Sequence, residues 1–127
     1  MAKYEVKVYK DVLYFKYNEM AETVAEAHQQ AGEVKRALSQ PGVTKFLNDN
    51  CNIQSIANAE VSEVWRDLMG WVGSNIEKNA TIAPNVTLKM QLNRLSRSAG
   101  TYDSVRAFTS MDEALHFMGI PDFQLEN

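Results

Sequence analysis

Val43-Thr44-Lys45-Phe46-Leu47-Asn48-Asp49-Asn50 is the stretch that decides the fold. Val43, Phe46 and Leu47 leave it with no consistently polar face, which is the pattern of a central strand covered on both sides. Upstream, Val24, Ala27, His28, Ala31, Val34 and Leu38 recur at steps of three and four from Glu22 onward, as in an amphipathic helix. Glu22 and Glu26 lie in its first turns and Lys35 and Arg36 near its end, complementing the helix dipole, and Pro41-Gly42 stops it. Downstream, a polar loop over 49–58 leads to Asn58, a suitable N-cap, and then to Val61, Val64, Trp65, Leu68, Met69, Val72 and Ile76 on one broad helical face. A strand set between two helices in this way belongs to parallel crossover units.

The same reading extends to both ends. Tyr4, Val6 and Val8 alternate with Glu5 and Lys7, and Leu13, Phe15 and Tyr17 alternate with their neighbours; the polar break Lys10-Asp11 makes these a tight hairpin. Ala80-Thr81-Ile82-Ala83 is a brief strand stopped by Pro84. Leu88, Leu92, Leu95 and Ala99 then mark a helix that starts near Asn85 and closes at Gly100. A last strand holds Val105, Ala107 and Thr109, and Ser110-Met111-Asp112-Glu113 is a capping box for a short helix of Met111, Ala114, Leu115 and Met118, ended by Gly119. The order is β-β-α-β-α-β-α-β-α. Right-handed crossovers make a single, mostly parallel five-stranded sheet with four helices and an antiparallel N-terminal hairpin strand. Residues 1–120 form one domain, and 121–127 are a tail expected to fray.

Composition narrows the function. The 127 residues are 45% hydrophobic, enough for a sizeable core. Thirteen Lys and Arg against sixteen Asp and Glu give a net charge of −3, with no global drive toward nucleic acid. One cysteine, Cys51, and two histidines, His28 and His116, allow neither an internal disulfide nor a multi-histidine metal centre from this chain alone. With no apolar leader at the N-terminus and no span of about 18 apolar residues, a cytoplasmic protein is expected. No cofactor is implied. The glycines match neither a dinucleotide fingerprint nor a phosphate loop.

Three segments resemble the STAS domain, and within it the bacterial SpoIIAA-like branch related to the lipid-binding CRAL-TRIO (Sec14-like) domains. Val43 to Asn50 resembles the central strand with its polar, Asp-containing turn, and Trp65-Arg66-Asp67-Leu68 lies in the following helix. Val105-Arg106-Ala107-Phe108 before Met111-Asp112-Glu113-Ala114-Leu115 resembles the closing strand and helix. The resemblance covers nearly the whole chain in element order and implies an α/β fold acting by protein contact. Antagonists of this family switch by phosphorylation of a serine in an Asp-Ser-Ser/Thr-Gly turn, where added charge disrupts docking. Here the turn reads Asp49-Asn50-Cys51-Asn52-Ile53-Gln54-Ser55 and lacks that motif.

Individual residues carry competing readings. Cys51 is expected to be a buried or half-buried thiol rather than a nucleophile. His28 and His116 are expected to be packed or capped. Gly70 and Gly73 interrupt the second helix and allow either simple packing or close approach to a neighbour. Trp71 is displaced about 120° from Trp65 around the helix, so it either lines the core edge or stands exposed as an anchor. Between Glu77 and Asp103 there is no acid, while Lys78, Lys89, Arg94 and Arg97 supply +4. This basic patch is a solvated face or a docking surface for an acidic partner or anionic lipid. Without interleaved aromatics it does not argue for specific nucleic-acid binding.

Two functions follow. The first is a non-enzymatic STAS-like regulatory domain that binds another protein through Asp49, Asn50, Cys51, Asn52, Ser55 and Asn58. The second is a small apolar-ligand or lipid-binding protein in the Sec14-like sense, with its ligand near Trp65, Met69, Trp71 and Met90. A homodimer is compatible with either.

Overall fold

The computed structural model describes residues 3–53 and 57–124. Strands β1 (Tyr4–Tyr9) and β2 (Val12–Tyr17) precede helix α1 (Val24–Leu38) and strand β3 (Lys45–Asp49). Helix α2 (Ala59–Asn75), strand β4 (Lys78–Ile82), helix α3 (Val86–Ala99), strand β5 (Val105–Phe108) and helix α4 (Met111–Phe117) complete the chain. The sheet order is β1-β2-β3-β4-β5, with β1 antiparallel to β2 and every later pair parallel. The expected fold class is the observed one. Strand β4 begins two residues earlier than its apolar run suggests, because Asn79 and Lys78 pair with Phe46 and Lys45 despite their polarity.

Tyr9 faces Val12, so Lys10 and Asp11 form the hairpin loop, with Lys10 at a positive φ of 56°. The Asp11 carbonyl accepts the amides of Thr44 and Lys45, and the Asp11 carboxylate pairs with the Lys45 ammonium at 2.8 Å. The hairpin is thereby fastened to the start of β3.

The two faces of the sheet bury separate cores. Leu13, Phe15, Tyr17 and Phe46 pack against α1 and α2 on one face, while Val12, Tyr14, Leu47, Ala80 and Ile82 meet Ala114, Leu115 and Met118 on the other. This accounts for the missing polar face of β3. Tyr17 is buried with its hydroxyl donating to Gln30 Oε1 at 2.6 Å and accepting the Ala21 amide at 2.7 Å, and burial pushes its pKa up to about 12.

Two expectations need correction, and one alternative left open is resolved. His28 is exposed, not packed: the buried arc of α1 runs through Ala27, Gln30, Ala31 and Val34, and one step past Ala27 rotates a side chain by about 100° out of it. Gln30 is buried there instead, satisfied by Tyr17. Within the tail expected to fray, Phe123 packs edge-on against Tyr9 with ring centroids 5.4 Å apart and joins the α4-side core, while 125–127 lie outside the described residues. Of the two glycines in α2, Gly73 makes the close approach, since a Cβ there would lie 3.3 Å from Thr101 Cγ2, whereas Gly70 has open space.

Candidate docking surface

The strand-end loop spends most of its polar groups on its own geometry, although the buried side-chain oxygens of Asn48 and Asn50 have no partner among the described residues. Asp49 is 5% exposed; its carboxylate accepts the Tyr14 hydroxyl at 2.7 Å and the Cys51 amide at 3.1 Å. Burial, then the neighbouring Asp49 carboxylate, holds the Tyr14 phenol far above its usual pKa. Asn50 donates its amide to the Ile82 carbonyl, Asn52 Nδ2 donates to Asn18 Oδ1 at 2.9 Å, and Asn58 caps α2 by accepting the Val61 amide. Ser55 lies outside the described residues.

Cys51 is exposed, against expectation, because the amide bond back to Asp49 closes a tight turn whose side chain points outward. Local desolvation and the Asp49 carboxylate raise the thiol pKa, the opposite of what a nucleophile needs. His116 is exposed at the end of α4 with Nδ1 2.9 Å from the Asp112 carbonyl. Among the described residues no three His, Cys, Asp or Glu side chains gather as a metal site.

The apolar candidates separate into two places. Trp65, Met69 and Trp71 all pack against the α1/α2 core. The Trp65 ring lies 6.0 Å from Phe15 and 5.2 Å from Tyr17, and the Lys35 ammonium sits 5.2 Å above Trp71, so Trp71 lines the core edge. Met90 does not join them. It stands 58% exposed on α3.

Helix α3 is where structure and periodicity part company. The stripe Leu88, Leu92, Leu95 and Ala99 marks a core-facing side, yet the buried residues of α3 are Asn93 and Ser96, while Leu95 is 62% and Val86 59% exposed. The sheet beneath explains the rotation. On the α1/α2 face, β4 and β5 present Asn79, Thr81, Val105 and Ala107, a polar and small surface with no room for a leucine seam. Asn93 meets it instead: its Oδ1 accepts the Ala107 amide at 2.7 Å and its Nδ2 donates to the Ala107 carbonyl at 3.1 Å. Strand β5 is an edge, and Val105, the other outward residue, gives its amide to the Thr101 carbonyl at 2.8 Å. One side-chain amide thus stands in for a sixth strand and blocks edge pairing.

Two of the four basic candidates, Lys78 and Arg97, lie near this edge with aromatic rings that the sequence reading did not connect to them. Arg97 and Arg106 lie 4.2 Å and 4.1 Å from the Tyr102 ring, and Arg106 and Lys78 lie 5.0 Å and 4.4 Å from the Phe117 ring. Arg97, Tyr102, Arg106, Phe117 and Lys78 therefore alternate cation and ring from α3 to α4. Lys89 is half-buried, and Arg94 is exposed one turn from Met90. Arg106 was the missing member; its only sequence signal was its position beyond Asp103, outside the acid-free window.

The strand order, the antiparallel lead strand and the helices on both faces define a SpoIIAA-like α/β domain. Among solved structures, an uncharacterised protein of the DUF3478 family with a SpoIIAA-like fold, from Shewanella loihica, is similar at a TM-score of 0.65 and 16% identity, covering 90% of each chain. No protein-family model matches the sequence, and no curated protein does. Among the described residues no helix is long and apolar enough to cross a membrane.

Proposed function

We propose that this chain is a non-enzymatic, cytoplasmic protein-binding domain whose docking face is α3. The observation that carries the reading is that three of the four exposed large hydrophobic residues among the described ones, Val86, Met90 and Leu95, stand on this one helix, with Val86 and Met90 together on one flank. An amphipathic helix that turns its apolar residues outward is costly to keep in water and marks a surface that another molecule covers. Exposed Met and Leu beside Arg is also the composition of a protein interface. The strand-end loop supports α2 and leaves fewer free groups for a partner. The ligand-binding alternative is weaker, because Trp65 and Trp71 are already covered by Phe15, Tyr17 and Lys35, and Met90 lies apart.

Photocrosslinking tests it. With p-benzoylphenylalanine in place of Met90, irradiation in cells should yield one discrete protein adduct, and the same replacement at Lys7 on β1 should not. Native mass spectrometry of the purified chain should show the bare mass. No adduct at position 90 together with a co-purifying small molecule would overturn the docking reading in favour of ligand binding.

A further inference from the structure

We infer that the α3 surface takes an acidic segment of another protein, one with apolar residues at its leading end and carboxylates behind them. This rests on the protein-binding reading above and adds the chemistry of the partner. Val86, Met90, Arg94 and Arg97 fall within an arc of about 80° along α3, so the exposed stripe is apolar in its first half and basic in its second. Arg97 then continues through the Tyr102 ring to Arg106. Stacking on the ring holds both guanidinium groups in place; Arg106 already gives its Nε to the Tyr102 carbonyl at 2.8 Å and lies 3.9 Å from the Asp103 carboxylate, so Arg97 is the one that offers its N–H edge to a partner's carboxylate.

Charge decides between the occupants. α3 contains no acid, so two copies paired through this stripe would set Arg94 and Arg97 against their own equivalents if parallel and against Met90 and Val86 if antiparallel, and neither arrangement supplies a carboxylate. A membrane plane is a poor fit as well. Leu95 lies about 180° around the helix from Val86, and the outermost positions between them are the exposed polar residues Thr87, Gln91 and Ser98. A flat surface reaching the apolar side chains on one flank loses those on the other, whereas a protein segment can lie along the Val86-to-Arg97 flank alone. The edge of β5 offers no strand-pairing alternative, because Asn93 and Thr101 already occupy Ala107 and Val105.

The test is fluorescence anisotropy with the full chain and a labelled synthetic helical peptide carrying leucines at helical spacing in its first turns and glutamates at the same spacing in the turns that follow. Binding should fall steeply with salt and weaken about tenfold or more in the double variant Arg94→Glu, Arg97→Glu, since reversal adds repulsion to lost attraction. Met90→Ser should weaken it as well, and the control double variant Lys7→Glu, Arg36→Glu should not. Far-UV circular dichroism confirms that each variant is folded. Equal binding of a peptide with glutamine in place of glutamate, or an equal loss in the control variant, would overturn the inference. Capture by phosphatidylserine vesicles through the same arginines without peptide binding would overturn it in favour of a membrane. If the photocrosslinked partner is retained in the Arg94→Glu, Arg97→Glu variant, the docking function stands and the acidic chemistry falls.

Discussion

Asn93→Leu is the substitution with the clearest consequence. The periodicity of α3 makes leucine look welcome at this position, but Asn93 is 8% exposed and spans both outward backbone groups of Ala107, itself 2% exposed. Two hydrogen bonds are worth about 1 kcal/mol each, and stranding a buried N–H and C=O adds a desolvation cost of similar size, so a loss of about 2–4 kcal/mol follows. For a domain of this length that is about 10 °C in Tm. Urea unfolding should show the loss as a lower midpoint at unchanged m-value. Hydrogen exchange gives the specific readout: the Ala107 amide should lose its protection in the native state while the amides of β3 keep theirs. An unprotected edge also invites pairing, so the variant should associate as concentration rises. Asn93→Asp separates polarity from geometry, because a carboxylate still accepts the Ala107 amide but opposes the Ala107 carbonyl. A loss below about 0.5 kcal/mol with Ala107 still protected would refute the account, since it would mean that another group or water takes over both bonds.

Other outcomes follow from the same geometry. Gly70→Ala should raise stability by about 0.5–1 kcal/mol in thermal melts through helix propensity, whereas Gly73→Ala should gain less or lose, because its Cβ would crowd Thr101 at 3.3 Å. Cys51 should alkylate with iodoacetamide at neutral pH more slowly than an unstructured cysteine peptide despite its exposure, and the two rates should converge in denaturant. Tyr17 ionises near pH 12 in the fold against 10.0 ordinarily, so its contribution is whole below pH 10, declines as pH rises through about 12, and should disappear from the alkaline limb of urea midpoints in Tyr17→Phe. Asp11 has its pKa lowered by Lys45, so its contribution is present above the ordinary carboxylate range and lost as pH falls; Asp11→Asn should flatten the acid limb slightly.

Most of the architecture was legible in the sequence because local chemistry and tertiary packing agree over most of the chain. The caps Asn58 and Ser110 act as their residue types suggest, each accepting the amide three residues on. Val43, Phe46 and Leu47 read as central, and Phe46 and Leu47 indeed point to opposite cores. What stayed hidden depended on groups brought together from a distance. Tyr14 and Asp49 are far apart in sequence, and nothing at either position signals the hydrogen bond that takes up the loop's carboxylate. Cys51 was misplaced for the same reason, since that carboxylate also sets the turn that turns the thiol outward.

Helix α3 shows the limit most sharply. A hydrophobic stripe records that one face of a helix is meant to be covered, but not by what. In α1 and α2 the cover is the chain's own sheet, and stripe and burial coincide. In α3 the sheet beneath offers Asn79, Thr81 and Ala107, and a two-bond match with Asn93 turns the stripe so that Leu88 and Leu92 are half-buried and Leu95 is exposed. Rotating the helix by about 90° would bury the stripe, but would free Ala107 and expose the sheet edge. The chain keeps the polar contact and the exposed apolar residues together. Val86 and Met90, on the flank away from that stripe, are exposed at a cost of their own, which a partner covering them and the adjoining arginines removes without disturbing Asn93. Partner binding and edge protection are therefore separable. Arg94→Glu with Arg97→Glu should abolish the first while leaving Ala107 protected, and Asn93→Leu should destroy the second first.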